Sequence, residues 1–273
     1  MPELPEVETI ARGLQRILPG KIIESVYLDA PKIERDNLPG WVETLRGKKF
    51  QKIERRGKNI LIGLDDGYTL WVHLKMTGHL YYMPKSVKIG KHDLMVFGLK
   101  NDSRTLRFND YRRFGRVRLL KTDEVLRQKG LADLGPEPLE ISQPDFVRLF
   151  RTRQRMIKPA LLDQTFLAGL GNIYADETLY LSRIHPRKST DRISTRKLRS
   201  LHENIRHILK KAIRLMGTSV DSYAGVDGEP GGYQKYLLAY GREGLSCRRC
   251  GGKIVREKIG SRSAHFCPRC QRL

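Results

Sequence analysis

Two textures of hydrophobic patterning divide the chain. Ile10, Leu14 and Ile17 recur at helical spacing and predict an opening helix. Pro5 suits its first turn, where a missing N–H costs nothing, and Glu6 and Glu8 suit the positive end of the helix dipole. From Pro19-Gly20 onward, short apolar runs broken by turn residues take over. Ile22 to Leu28 reads as a strand, and Asn59 to Leu64 with Tyr68 to Leu74 reads as a hairpin closed by Asp65-Asp66-Gly67. Asp93 to Leu99 and Arg104 to Phe108 flank Asn101-Asp102-Ser103, and Gly115 to Leu120 follows as a further strand. Short strands joined by tight turns predict a sandwich or barrel.

The second texture begins after Leu134-Gly135-Pro136-Glu137-Pro138-Leu139, a stretch of turn formers that reads as a linker. Pro144 to Phe150 starts a helix, Ala168-Gly169-Leu170-Gly171-Asn172 makes a glycine-bearing turn, and Ile173 to Ser182 is helical again. Leu198, Leu201, Ile205, Ile208, Ala212 and Leu215 mark one face of a long helix beginning near Ser194. Residues 217–235, rich in glycine and polar groups, are expected to be mobile. No repeat or low-complexity segment interrupts this order.

Composition narrows the partners. A length of 273 residues suggests about two domains. No apolar run approaches the roughly 18 residues of a membrane span, and no charged-then-apolar leader opens the chain. The formal net charge of +22 favours a polyanion, most simply nucleic acid. A membrane surface is the competing partner, but no basic amphipathic helix with a clean apolar face stands out.

The strongest local motif lies at the end: Cys247-Arg248-Arg249-Cys250 and Cys267-Pro268-Arg269-Cys270, which hold all four cysteines. Two such knuckles at this separation match a four-thiolate zinc site with no open position. A disulfide pair is the competing reading, disfavoured in a chain with no export signal. Lys253-Ile254-Val255 and Ala264-His265-Phe266 read as the strands of a ribbon hairpin with Arg262 at its turn. Eight basic side chains against one acid over residues 244–273 make this finger a candidate DNA contact.

The other candidate chemistry is at the start, Met1-Pro2-Glu3-Leu4-Pro5-Glu6. Pro2 is small enough that removal of Met1 is expected, leaving a secondary amine beside the Glu3 carboxyl group. An α-amino group has a reference pKa of about 7.7–8.0 and so is partly neutral near pH 7. A neutral amine attacks an electrophilic carbon to give an iminium, splitting one hard step into two easier ones. Taken alone, the segment could equally be a stiff leader with helix-capping acids.

Six motifs in register shift that balance. Met1-Pro2-Glu3-Leu4-Pro5-Glu6-Val7-Glu8-Thr9, Arg55-Arg56-Gly57-Lys58, Arg112-Arg113-Phe114-Gly115, Leu134-Gly135-Pro136-Glu137-Pro138, Ala168-Gly169-Leu170-Gly171-Asn172-Ile173-Tyr174 and the cysteine knuckles span the whole chain. In this order they resemble the bacterial formamidopyrimidine-DNA glycosylases. The resemblance implies an α+β multidomain fold: an N-terminal β-sandwich flanked by helices (1–134), a helical helix–two-turns–helix domain with a mobile lesion loop (135–238), and a four-cysteine zinc finger (239–273). It implies a monomer, cytoplasmic in a bacterium, that excises 8-oxoguanine and formamidopyrimidines from damaged duplex DNA and then nicks the strand by β,δ-elimination. Pro2 would be the nucleophile at C1′, Glu3 the general acid at the sugar ring oxygen, and Glu6 a support for the opened sugar or the helix start. Lys58 would bind a phosphate next to the lesion. Asn172 and Arg262 would clamp the flanking phosphates, and His73 and Lys158 look like further phosphate contacts. Met76, Arg112 and Phe114 resemble the wedge that fills the space left by an extruded base. Cys247, Cys250, Cys267 and Cys270 would hold one structural Zn²⁺.

Three departures from the family pattern stand out: Tyr111 where proline or valine is expected, Lys75 where arginine or glycine is more usual, and Ala264 in the finger, where a hydroxyl would be typical. Two rival readings remain open at this point. One is an endonuclease VIII-type glycosylase for oxidised pyrimidines, whose usual Pro-Glu-Gly-Pro-Glu start is contradicted by Leu4. The other is a non-catalytic zinc nucleic-acid-binding protein, which leaves Pro2 and Glu3 without a role.

Overall fold

The structure, a computed structural model, describes residues 1–220 and 223–273. The chain divides into two compact units, Met1–Ala132 with Leu215–Gly232, and Asp133–Arg214 with Tyr233–Leu273.

The first unit opens with helix α1 (Leu4–Ile17), continues through β1 (Ile23–Leu28) and two short helices, α2 (Pro31–Arg35) and α3 (Trp41–Leu45), and then becomes sheet. The strands are β2 (Phe50–Arg56), β3 (Asn59–Leu64), β4 (Tyr68–His73), β5 (Gly78–Pro84), β6 (Asp93–Leu99), β7 (Arg104–Asp110) and β8 (Arg116–Lys121), followed by a single turn of helix, α4 (Thr122–Val125). They form two four-stranded sheets, ordered β1-β6-β7-β5 and β2-β3-β4-β8. Every one of these pairings is antiparallel; only β2–β3, β3–β4 and β6–β7 join consecutive strands through short turns, a connection antiparallel neighbours allow. One hydrophobic core joins the sheets: Phe50, Ile60, Ile62, Leu70 and Val72 from one, Met95, Phe97, Leu106 and Phe108 from the other. Ile10 and Leu14 of the predicted stripe are fully buried in the same core with Val7, and Ile17 is half-buried against it, so this face of α1 anchors the N-terminus. Fully burying side chains of this size stabilises by about 1.5–3 kcal/mol each.

The segment 215–232 departs from the expectation of a mobile loop in the helical domain. Tyr223 and Val226 join the core of the first unit, and the Tyr82 N–H donates to the Val226 carbonyl at 2.8 Å. The apolar side chains of this stretch are spaced irregularly among glycines and polar residues and so register no periodicity, yet Tyr223 and Val226 give it a place. Asp221 and Ser222, which fall in the same stretch, lie outside the described residues.

The second unit holds α5 (Gln143–Arg151), α6 (Ile157–Leu162), α7 (Asn172–Leu181) and α8 (Thr195–Arg214), then the hairpin β9 (Val255–Ile259) and β10 (Arg262–Phe266). Ser142 caps α5 by accepting from the Asp145 N–H at 3.2 Å. The long helix buries Leu198, Leu201, Ile205, Ile208 and Ala212 of its predicted face, whereas Leu215 falls just beyond its end and is only half-buried. The finger shares a core with this unit: Tyr180 of α7 clusters with Ala239, Cys247, Ile254 and Cys267. Glu177, fully buried, accepts from the N–H groups of Leu238, Ala239 and Tyr240 at 2.9, 2.8 and 2.8 Å. Burial nonetheless pushes its carboxyl above the ordinary range, against the pull of those three donors.

Candidate active site and nucleic-acid interface

Pro2 and Glu3 are both buried at the start of α1. Glu3 is the N-cap residue, and Glu3 and Glu6 form a reciprocal capping box, with the Glu3 N–H donating to Glu6 Oε2 at 2.8 Å. Glu6 has a second tie, accepting from the Thr218 N–H at Oε1 at 2.7 Å, while the Tyr223 hydroxyl donates to the Glu6 carbonyl at 3.4 Å. The close approach depends on Gly217, whose φ is +83° and where a Cβ would meet Glu6 Oε1 at 2.8 Å. Glu6 therefore locks the N-terminal turn in place and joins it to the returning segment.

Lys58 lies in the β2–β3 turn and is buried. That turn is tied to α1 by Arg55, whose Nε donates to Glu8 Oε2 at 2.7 Å and whose Nη1 donates to the Gly57 carbonyl at 3.0 Å. Burial pulls the Glu8 carboxyl upward, but the Arg55 and Arg12 guanidinium groups outweigh it and hold the group below its usual range. Strand pairing places Asn59 opposite His73, next to Lys58. Burial and the cations of Lys75 and Lys58 hold the His73 imidazole down to about 3, so it is neutral at physiological pH. Its Nδ1 accepts from the Lys75 N–H at 2.9 Å. The proton of the neutral ring is thereby left on Nε2, a donor suited to a phosphate oxygen.

Met76 lies in the turn between β4 and β5, and Arg112 and Phe114 lie in the turn between β7 and β8. Arg112, Arg113 and Phe114 are all exposed, and the Arg112 guanidinium stacks 4.8 Å from the Phe114 ring centroid. A cation on a ring is a stiff pair that presents a flat apolar and cationic edge to solvent.

In the second unit, Asn172 opens α7, and the positive end of a helix dipole favours an anion. Arg262 is exposed at the start of β10, after the Gly260-Ser261 turn. Lys158 is placed differently from the expectation of a phosphate contact. It is 0 % exposed, its ammonium donating to Asp176 Oδ1 and to the Ser263 carbonyl, each at 2.5 Å. Asp176 in turn accepts from the His265 N–H at 2.9 Å and faces its Nδ1 at 3.1 Å. The network fastens the strand that carries Arg262 onto α6 and α7. The glycine-bearing family motif stops short of Asp176, so nothing in the sequence marked it.

The four cysteine sulfurs all lie within 4.8 Å of one another. The Cys250–Cys267 and Cys247–Cys270 pairs stand at 3.5 and 3.9 Å, too long for disulfides. They bracket the roughly 3.8 Å edge of a tetrahedron with metal–sulfur bonds of about 2.3 Å. Burial pushes the Cys247 thiol up, but the Tyr180 hydroxyl at 3.2 Å and the N–H groups of Arg249 and Cys250 bring it down to about 6. Burial and the neighbouring thiols push Cys270 up to about 12. A cluster so crowded ionises fully only around a cation, so the donor set fits Zn²⁺.

A helical unit bearing a four-thiol finger, together with a sandwich unit in a chain of net charge +22, defines a class: zinc-finger proteins whose partner is nucleic acid. Family models agree along the chain. Residues 1–117 match the formamidopyrimidine-DNA glycosylase N-terminal domain, 134–224 its H2TH domain, and 244–273 a zinc finger found in FPG and IleRS. A formamidopyrimidine-DNA glycosylase of Pelotomaculum thermopropionicum is 45% identical over 100% of both chains, and one of Heliobacterium modesticaldum is likewise 45% identical over 100% of both. A solved complex of Lactococcus lactis Fpg with abasic-site DNA superposes with a TM-score of 0.91, at 37% identity over 99% of this chain and 100% of that one. A second complex of the same relative, with DNA containing an oxidised pyrimidine, has a TM-score of 0.91 and 37% identity over 100% of both. The chain belongs to the formamidopyrimidine-DNA glycosylase family.

Proposed function

We propose that this chain is a bifunctional DNA glycosylase and abasic-site lyase that removes oxidised purines from duplex DNA. The observation that carries the reading is the buried Pro2-Glu3 pair, held by Glu6 at the first turn of α1. With Met1 removed, the Pro2 nitrogen lone pair forms a bond to C1′ of the damaged nucleotide, and the bond from C1′ to the base breaks, the base leaving with that electron pair and taking up a proton. The Glu3 carboxyl group gives its proton to the sugar ring oxygen as the ring opens, and the product is an iminium. Loss of the C2′ proton then expels the 3′ phosphate, and a second elimination expels the 5′ phosphate. Lys58, His73, Asn172 and Arg262 hold backbone phosphates, which positions the duplex without reading its sequence. Met76, Arg112 and Phe114 enter the stack where the target nucleotide leaves it. One Zn²⁺ on Cys247, Cys250, Cys267 and Cys270 supplies folding energy to the finger and no Lewis acidity, because four thiolates leave no open position.

No helix among the described residues is long and apolar enough to cross a membrane, which suits a cytoplasmic monomer working on chromosomal DNA. Purines are the main substrate in this reading, and the oxidised-pyrimidine complex of the Lactococcus relative brings pyrimidine lesions onto the same panel. The test is borohydride trapping on duplexes containing 8-oxoguanine, followed by peptide mapping. The expected result is an enzyme–DNA adduct on Pro2, lost when the terminus is blocked. An adduct on a lysine in protein lacking Met1 would overturn the assignment.

A further inference from the structure

The Asp110 carboxylate is 0 % exposed, and the chemistry proposed above gives it no role. It ends β7, and both of its oxygens are occupied. Oδ2 accepts from the N–H groups of Phe114 and Gly115 at 2.8 and 2.7 Å. Oδ1 accepts from the Arg112 N–H at 3.1 Å and, in a short bond, from the Thr77 hydroxyl. Thr77 belongs to the other turn, the one that holds Met76, and the pairing of Gly78 with Asp110 brings the two turns side by side. A single carboxylate thus binds the backbone of the Arg112–Gly115 turn on three N–H groups and reaches across to the Met76 turn through a fourth donor.

Both turns need such a fixture. Lys75, just before Met76, has φ +55°, and Arg113, between Arg112 and Phe114, has φ +54°. Side chains with a Cβ adopt this left-handed conformation only when the surroundings hold them there. The approach of the carboxylate is possible because residue 115 is glycine: a Cβ there would lie 2.3 Å from Phe108 Cζ and 3.1 Å from Asp110 Oδ2. The backbone of the Arg112–Gly115 turn is therefore fixed from below while Arg112 and Phe114 stand exposed above it.

We infer that Asp110 is a positioning residue for base extrusion, coupling the Met76 turn to the Arg112–Phe114 turn so that the three side chains enter the duplex as one preorganised body. The inference rests on the proposed wedge role of Met76, Arg112 and Phe114. Four donors need four acceptor sites, which an ionised carboxylate has and an amide lacks. Asp110→Asn keeps the shape but turns an NH₂ group toward donors. Thr77→Val removes only the bridge between turns, and Thr77→Ser restores the hydroxyl.

The experiment is stopped-flow fluorescence of 2-aminopurine placed beside 8-oxoguanine, read with single-turnover excision and with strand cleavage at a preformed abasic site. A hydrogen bond to a charged group has a free energy corresponding to roughly tenfold or more in an equilibrium. Thr77→Val should therefore slow unstacking and 8-oxoguanine excision about tenfold, Thr77→Ser should recover most of it, and cleavage at the abasic site should stay within about twofold. Asp110→Asn should act in the same sense and more strongly; if it fails to fold, the Thr77 pair decides. Folded Thr77→Val that unstacks the lesion at the wild-type rate overturns the inference. Arg112→Ala and Phe114→Ala are the separate arm: if they too leave unstacking unchanged, the wedge reading has failed, and if they slow it while Thr77→Val does not, only the coupling has.

Discussion

Lys158 separates two roles that the sequence could not tell apart, and the structure sets the size of the difference. Its side chain and that of Asp176 are 0 % and 1 % exposed, and they meet at 2.5 Å. Lys158→Met removes the ammonium while keeping an unbranched chain of similar length, and leaves a buried carboxylate with His265 as its remaining neighbour. Breaking a buried ion pair from one side costs about 3–5 kcal/mol, and the surviving His265 N–H argues for the lower end. At about 2–4 °C per kcal/mol for a protein of this size, the melting temperature of the helical unit should fall by roughly 6–12 °C. Trp41 and Trp71, the only tryptophans, both lie in the first unit, so tryptophan fluorescence would miss the change and far-UV circular dichroism is the assay. Asp176→Asn added to Lys158→Met should recover part of the loss, because no charge is then stranded. A phosphate-contacting lysine would behave otherwise, lowering the slope of log K against log salt by about 0.9 for duplex DNA. Unchanged melting with that drop in slope would refute the structural role.

Two further outcomes follow from the site. His73 is held at about 3 when folded and takes up its proton near 6.5 when unfolded, so the unfolded state binds more protons between those values and stability falls as pH drops through that window. His73→Gln should flatten the decline by up to about 1.4 kcal/mol per pH unit; urea melts of the two proteins with equal slopes between about pH 6 and 4 would contradict the burial argument. Chelation of the metal, or Cys250→Ser, should melt the β9–β10 hairpin and abolish binding to lesion duplex, with the tryptophan fluorescence of the first unit unchanged. Metal-free protein that still bound the lesion normally would remove Arg262 from the phosphate clamp.

Much was legible in the chain because some signals are local. Helical spacing of Ile10, Leu14 and Ile17 predicted α1, and the periodic face of α8 emerged as read, since both stripes are long enough to average over exceptions. The knuckle spacing predicted the four-sulfur cluster, because a metal site of this kind is built from two tight turns whose geometry is set within four residues. The strands β2 and β5 were not read as strands. In β2 four of seven side chains are charged, so the edge of the sheet reads as a basic run, and only pairing with β3 shows it to be a strand. Residues 217–235 looked mobile for the same reason: what places Thr218, Tyr223 and Val226 is a bond to Glu6 and a shared core, contacts far apart in sequence.

The sequence by itself therefore determined which chemistry the protein carries: a proline and a carboxyl group at the start, thiols at the end, and a strong positive charge between them. Only the tertiary structure decided which polar side chains stay exposed and which are buried in the scaffold. Lys58 and Lys158 each sit in a basic run, and the pattern of neighbours cannot tell a solvated cation from one neutralised by a buried aspartate, as Lys158 is by Asp176. Asp110 and Asp176 carry no periodic or motif signal of their own, because what a buried carboxylate does depends on donors that other elements bring to it: Thr77 from a neighbouring turn and Lys158 from another helix. Burial removes water as the alternative partner, and that is fixed by packing across the fold, not by the residues on either side.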